Sequence, residues 1–370
     1  MDSHITRFYF KHLRPIVSLG VGMLLLIGPS KQIHAFEYID HPNNPIFSGS
    51  QSWNDLAVIS PLVLFENSVY KMWHGGRANG LPIQIGYATS SDGITWTENP
   101  DLILEVGPPG AFDADGVKKF TVIHDETGYK LWYTGLNLTD DTQQIGLATS
   151  ADGINWEKYG QNPVIPSGPS GSWNEIWSKD PSVLKIDGAY HMWYSGKEAE
   201  GDNAIGLAYS MDGISWQEYE NNPIIFHNPD MEWESAWITF PKVTIREDGS
   251  LVMFYVGSAG VNWQIGMAHS PDGITWTKHL NNPIITYNEP GTWNSLYSTG
   301  PSLVIMEPGH YSLWYAGNDG SNHWHIGYGD LLFDTMGDVN YDYQTDISDL
   351  IRLISIILGN LTASEYQLEV

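Results

Sequence analysis

One dipeptide keeps time along this chain. Ile-Gly stands at Ile85-Gly86, Ile145-Gly146, Ile205-Gly206, Ile265-Gly266 and Ile326-Gly327, at intervals of 60, 60, 60 and 61 residues. Ser-x-Asp-Gly-Ile-x-Trp recurs with the same period around Asp92, Asp152, Asp212 and Asp272. An aromatic pair closes another segment of each unit: Trp73-His74, Trp132-Tyr133, Trp193-Tyr194, Phe254-Tyr255 and Trp314-Tyr315. A period this regular implies a repeat architecture. The Gly, Trp and turn content excludes leucine-rich and helical repeats.

Each unit holds four strand-like runs. In the third they are Ser182–Ile186, Tyr190–Ser195, Ala204–Tyr209 and a fourth ending near Asn222-Pro223-Ile224-Ile225. Asp187-Gly188 marks a hairpin between the first two, and Met211-Asp212-Gly213 marks the next turn. Four antiparallel strands per repeat make a propeller blade. The last unit lacks Asp-Gly-Ile-x-Trp and Asn-Pro-Ile, whereas Asn43-Asn44-Pro45-Ile46 near the start supplies that missing piece. The sequence therefore predicts an all-β, five-bladed β-propeller over residues 36–334, closed by its N-terminal strand so that no sheet edge is left open.

Strand direction separates two faces. The hairpins between the first two strands (A and B) and the Asp-Gly turns share one face, which is nearly the same in every unit and reads as scaffold. Its aspartates are expected to shape turns by side-chain to backbone bonds. The other face gathers the D–A loops, the starts of the A strands and the B–C loops. Two positions there keep their character: Trp53, Phe112, Trp173, Trp233, Trp293 reads as packing, and Asn54, Asp113, Asn174, Glu234, Asn294 reads as caps. Others diverge, notably Ile59, Lys118, Lys179, Thr239, Thr299 and the following Ser60, Lys119, Asp180, Phe240, Gly300. A mouth lined by Asp55, Asp115, Glu175, Asp180, Lys118, Lys119, Lys179, Trp177, Trp237 and Tyr297 suits sugar recognition. Aromatic faces stack on C–H surfaces while carboxylates and ammonium groups bond hydroxyls.

Lys179-Asp180-Pro181-Ser182-Val183, then Asp187-Gly188 and Tyr190-His191-Met192-Trp193-Tyr194, resemble the five-bladed propeller glycosidases of glycoside hydrolase families 32, 43, 62, 68 and 130. In the family 43 pattern, the resemblance implies a first-blade Asp as base, a third-blade Asp before Pro that orients substrate, and a fourth-blade Glu as acid. The third-blade position falls on Asp180. The base position holds Ser60, with Asp55 the nearest carboxylate, and the acid position holds Thr239, with Glu234 five residues earlier. Glycosidic hydrolysis by paired carboxylates then draws base and acid from Asp55, Asp115, Glu175 and Glu234. Lys118, Lys119 and Arg77 offer a phosphate site of the phosphorylase kind, and a glycan-binding propeller without catalysis is a further alternative.

Composition narrows the partners. The 370 residues carry 43 Asp plus Glu against 17 Lys plus Arg, a formal charge of -26, which repels nucleic acid and anionic membrane surfaces. There is no Cys, so disulfide and thiolate chemistry are excluded. Residues 1–35 read as a secretory signal: Arg7, Lys11 and Arg14 precede an apolar run from Ile16 to Ile27 too short to span a bilayer, and Ala35 offers a cleavage site. The product is expected to be secreted.

Past Asp334 the pattern changes. Counting from Asp338, oxygen-bearing side chains of Asp338, Asn340, Asp342, Asp346 and Asp349 fall at loop positions 1, 3, 5, 9 and 12, and Gln344 lends a carbonyl at 7. This is calcium-loop spacing, and an apolar run from Ile351 to Leu358 follows. Residues 335–360 resemble half of a type I dockerin, which implies Ca2+ and a cohesin-like scaffold as partner; residues 361–370 form a tail. Tyr343 stands where Gly is usual, and the second half-motif is absent.

Overall fold

The computed structural model describes residues 36–333 apart from 202, 247, 248, 289 and 308, and every strand below lies within them. The expected signal segment and calcium loop, with Asp338, Asn340, Asp342, Gln344, Asp346 and Asp349, lie outside the described residues.

Among the described residues the chain is all strand and turn, without helix. Five antiparallel units follow one another. Their innermost strands, A, are Ala57–Glu66, Gly116–Asp125, Trp177–Ile186, Trp237–Ile245 and Tyr297–Glu307. In the third unit strand B is Ala189–Lys197, C is Asn203–Ser210 and D is only Gln217–Glu218, paired in the order A-B-C-D. The fourth run expected to end at Asn222–Ile225 is thus split. A two-residue strand is followed by a single bridge, Ile205 to Ile225, because Asn222 fills the intervening ladder slot with its side chain. Its amide accepts from Leu207 N at 2.9 Å and donates to Leu207 O at 2.9 Å.

The hairpin signal acts through backbone sign. Asp187 and Gly188 both have positive φ, 50° and 85°, and Ile186 pairs directly with Ala189. This is the two-residue turn whose twist matches that of paired strands. On the same face, Asp92 Oδ1 accepts from the backbone N–H of Ile94 and Thr95 at 2.9 and 2.7 Å. Those bonds hold its pKa down at about 2.

The repeating Ile-Gly has a steric cause. A Cβ on Gly86 would lie 2.3 Å from the Trp53 ring, and one on Gly206 would lie 2.4 Å from Trp173. Each glycine therefore seats the aromatic ring of the D–A loop flat on strand C. The next column, expected as caps, is more than that. Asn54, Asp113, Asn174 and Glu234 are buried and pair with Glu98, Lys158, Glu218 and Lys278 of strand D.

Units are joined by buried indoles. Trp73 Nε1 donates to Gly153 O, Trp132 to Gly213, Trp193 to Gly273 and Trp314 to Gly93, each at 2.8 Å. Every bond runs from one unit to the Asp-Gly turn of the next, and the last runs from the fifth unit to the first. Phe36–Asp40 pairs antiparallel with His325–Phe333, the outer strand of the fifth unit, from Phe36 opposite Phe333 to Asp40 opposite Gly329. Asn44 bonds Tyr328 N and O at 2.9 and 2.8 Å, repeating the role of Asn222. The start of the described chain thus completes the sheet at its end.

Candidate functional site

All five A strands break register at the same place: Ile59/Leu62, Lys118/Phe120, Lys179/Ser182, Thr239/Lys242 and Thr299/Ser302. At each break sits one left-handed residue: Ser60, Lys119, Asp180, Phe240 and Gly300, with φ between 47° and 59°. Left-handed backbone costs a non-glycine residue about 1–2 kcal/mol. Four such residues in one ring indicate strain stored at a site. The bulges turn these five positions toward the central channel, a constriction of about 40 Å³ also lined by Phe120, Lys242 and the prolines at 61, 181, 241 and 301.

Asp180 is the hub. It is 3% exposed, and its backbone N–H donates to Thr134 Oγ1 at 2.8 Å. Thr134 in turn donates to Lys119 O at 3.2 Å. Thr239 donates its hydroxyl to Asp180 Oδ2 at 2.6 Å. Lys119 Nζ lies 3.4 Å from Oδ1 and Lys179 Nζ lies 3.7 Å from Oδ2. Burial opposes ionisation of this carboxyl, but the ammonium groups of Lys119, Lys179 and Lys118 and the Thr239 bond outweigh it, holding the pKa at about 2. Asp180 is an anion at any ordinary pH.

Lysines gather around it, and burial, opposed by Asp180, holds Lys119 well below the usual lysine range. Lys119 Nζ sits 3.6 Å over the Phe240 ring, and Lys179 and Lys197 flank the Trp177 ring at 4.5 and 4.7 Å. Burial, then repulsion from Lys179, brings Lys118 down to about 8 despite Asp180 and Asp141. Burial alone brings Lys242, on the wall of the constriction, to about 8. Above the constriction a mouth of about 300 Å³ is lined by Lys119, Trp177, Lys179, Lys197, Trp237 and Trp263 among others. In a protein of charge -26, this gathers several lysines about Asp180, the one carboxylate that lines the channel or mouth among the described residues.

The remaining expected carboxylates are spent elsewhere, so paired acids drawn from them are not assembled here. Glu234 is fully buried inside the fourth unit, 2.6 Å from Lys278 Nζ. Glu175 closes its own loop, accepting from Ser170 Oγ at 3.0 Å and Gly171 N at 2.9 Å. Asp115 accepts from Leu138 N at 2.8 Å, and Asp55 is exposed on its loop. None of the four lines the channel or the mouth. Arg77 ends strand B of the first unit opposite Ala57 and is likewise not on the mouth wall. Tyr297 lies beside the mouth against Trp263, at 4.8 Å between centroids. His325 bonds Ser48 Oγ at 2.8 Å.

Two aromatics, one on the mouth wall and one beyond it, escape the column comparison. Trp263 and Trp324 stand two residues before the recurrent Ile, where the other units have Ile83, Gln143 and Asn203. That column breaks its own pattern, and extending the comparison to the start of strand C would have found it. Lys197 was similarly hidden at the end of strand B.

Comparison with known proteins now has a geometry to attach to. Residues 138–341 match the family described as beta-1,4-mannooligosaccharide phosphorylase. An uncharacterized protein of Mycobacterium tuberculosis is 24% identical over 284 residues, 73% of this chain and 91% of its own. A 1,2-beta-oligomannan phosphorylase of Thermoanaerobacter sp. is 27% identical over 227 residues, 58% of this chain and 69% of that protein. Among solved structures, one from a study of family 130 mannoside phosphorylases and hydrolases that target beta-1,2 mannosidic linkages in Candida mannan superposes with a TM-score of 0.61. It is 18% identical and covers 80% of this chain and 93% of its own. A thermostable family 43 glycoside hydrolase reaches 0.60 at 17% identity, over 75% of this chain and 90% of its own. These likenesses place the fold among the β-propeller glycoside hydrolases, and the matched segment, more than half of the sequence, decides the rest: the chain belongs to glycoside hydrolase family 130, a family of carbohydrate-active enzymes.

Proposed function

We propose that this protein is a five-bladed propeller enzyme that cleaves β-mannosidic bonds by phosphorolysis. One observation carries the reading: among the described residues Asp180 is the one carboxylate that lines the channel or mouth, with Lys118, Lys119 and Lys179 close to it and Lys197 on the mouth wall. Hydrolysis by the usual route uses two carboxyl groups about 5–10 Å apart, one to protonate the leaving oxygen and one to activate water or attack. Phosphorolysis needs no second carboxylate, because phosphate is itself the nucleophile. It needs cations to hold a dianion inside an acidic protein, and those are present.

The bookkeeping is simple. A phosphate oxygen bonds to the anomeric carbon, the glycosidic C–O bond breaks, and the proton of hydrogen phosphate ends on the departing oxygen. Products are a sugar 1-phosphate and a chain shortened by one unit. Asp180, an anion with pKa about 2, does not supply that proton; it orients a sugar hydroxyl and fixes the lysines. Turnover of β-mannosides assayed with and without inorganic phosphate tests this reading directly. A second reading, glycan binding without cleavage, is favoured by Ser60 and Thr239, hydroxyls in two positions where the family 43 pattern has carboxylates. Absence of any turnover, with sugar binding intact, would select it.

Secretion and calcium binding complete the proposal. Residues 1–35 direct export, and the loop from Asp338 to Asp349 holds one Ca2+ and serves docking to a cohesin-like scaffold protein. Calorimetric titration of the full chain with calcium, before and after Asp338→Ala, tests the metal. Heat of one site lost on substitution supports it; no heat in the unaltered chain rejects it.

A further inference from the structure

The mouth has two unlike halves. Its cationic half belongs to the second and third units. Across from it, aromatic rings continue past the mouth through the fourth and fifth units. Trp237 and Trp263 meet edge to face at 5.6 Å between centroids, with an interplanar angle of 79°. Trp263 lies 4.8 Å from Tyr297 and 6.0 Å from Trp324. Tyr297 and Trp324 run nearly parallel, 10° apart, at 5.5 Å. At that separation parallel rings are offset rather than face to face, so the pair makes a stepped surface. All four residues are half-buried. Only the first two line the mouth cavity.

Trp237 and Trp263 pack in part against the buried core of the fourth and fifth units, whereas Tyr297 and Trp324 are not among the rings that do. Three of the four residues of this arc stand at the bridges that join strand C of one unit to strand A of the next: Trp263 opposite Tyr297, and Trp324 opposite Ala57. Between the first and second units the same bridge is made by Ile83 and Gly116, and between the second and third by Gln143 and Trp177. A bridge that forms equally with isoleucine and glycine does not require stacked indoles. The aromatic choice is therefore free to serve a ligand.

Resting on the phosphorolytic reading above, we infer that Tyr297 and Trp324 form a distal subsite for the uncharged sugars of an extended glycan. The chain would lie from the Asp180 pit over Trp237 and Trp263 and out along the fifth unit. The occupant follows from chemistry. The rings of the arc are uncharged while the cations gather on the opposite wall, so the arc selects apolar sugar faces and the opposite wall selects phosphate. The preferred substrate class is then an oligosaccharide longer than a disaccharide.

The test is binding without phosphate, so that it does not depend on turnover. β-1,4-Mannobiose and β-1,4-mannohexaose are titrated by calorimetry against the full chain and against Trp324→Ala, Tyr297→Ala and Trp324→Phe. The inference predicts about tenfold tighter binding of the hexaose, a preference that collapses in either alanine variant and returns with the phenylalanine, which keeps a ring even if the alanine variant folds poorly. Equal affinity for both sugars, a preference that survives loss of both rings, or no binding of either sugar would overturn it. A parallel titration with inorganic phosphate reports on the lysine pit alone. Phosphate binding with no chain-length preference removes the distal subsite and leaves the phosphorolytic reading standing. Chain-length preference without phosphate binding does the reverse.

Discussion

Trp314 in the fifth unit donates its indole N–H to the carbonyl of Gly93 in the first, at 2.8 Å, and neither ring nor bond touches water. The same bond leaves Trp73, Trp132 and Trp193 for the next unit. The one aromatic of this column without an N–H is Phe254, and the unit that follows it is the one whose sequence lacks the Asp-Gly turn. Donor and acceptor vanish together, so Phe254 is the residue its neighbour demands.

Replacing Trp314 by Phe removes that bond and orphans a buried carbonyl. The expected cost is about 1–3 kcal/mol, larger than a typical net hydrogen bond because the acceptor cannot reach water. Thermal denaturation reads it as a lower Tm. Phe254→Trp should gain nothing, since no turn waits for its N–H; stabilisation by that substitution would contradict the account of the repeat.

Glu234 and Asp180 should separate cleanly. Glu234→Gln strands Lys278 in the fourth unit and is predicted to lower stability by about 3 kcal/mol, with turnover at a permissive temperature changed less than threefold. Asp180→Asn is predicted to lower kcat at least about 100-fold while the protein still folds, the loss expected when a positioning group at a reacting centre is removed. Denaturant unfolding and steady-state kinetics measure the two. Reversed outcomes would return Glu234 to the chemistry.

Phosphate affinity should depend on pH through the lysines. Lys118 and Lys242 have folded pKa values near 8, below the 10.5 of a free lysine, because burial disfavours their charge. A bound dianion favours the charged form and raises those pKa values. Binding should therefore take up protons near pH 8 and weaken as pH climbs from 7 to 9. Calorimetry in buffers of different ionisation enthalpy detects the uptake. The same shifts predict that stability rises with pH between about 8 and 10.5, where the unfolded chain holds protons that the folded chain does not. Asp180 acts with the same sign in a lower window, where stability rises with pH between about 2 and 4. Its folded pKa is depressed from 3.8 to about 2, so its contribution is present above pH 4 and disappears as pH falls through 2.

Much of the fold was legible because repeats compare a chain with itself. The period of the Ile-Gly and Asp-Gly pairs sets unit length, and the displaced Asn44-Pro45 names the strand that completes the last sheet. The place of Asp180 on the channel wall was legible too, since its column carries four other residue types at one left-handed position. Glu234 misled because a polar column can vary by exchanging partners. Asn with Glu218 and Glu with Lys278 are equivalent solutions to one buried pair, and only strand D reveals the exchange. The cationic character of the mouth was half visible. Lys118, Lys119 and Lys179 are neighbours in the columns, but Lys197 joins them only once strand B is folded back against strand A.

The central claim meets its most direct test in a phosphorus NMR spectrum. The full chain is incubated with β-1,4-mannohexaose and inorganic phosphate, with a matched incubation lacking phosphate and a third using Asp180→Asn. The account predicts a growing sugar 1-phosphate resonance in the first sample alone, at the expense of free phosphate. Release of free mannose at the same rate with and without phosphate, and no sugar phosphate, would contradict it.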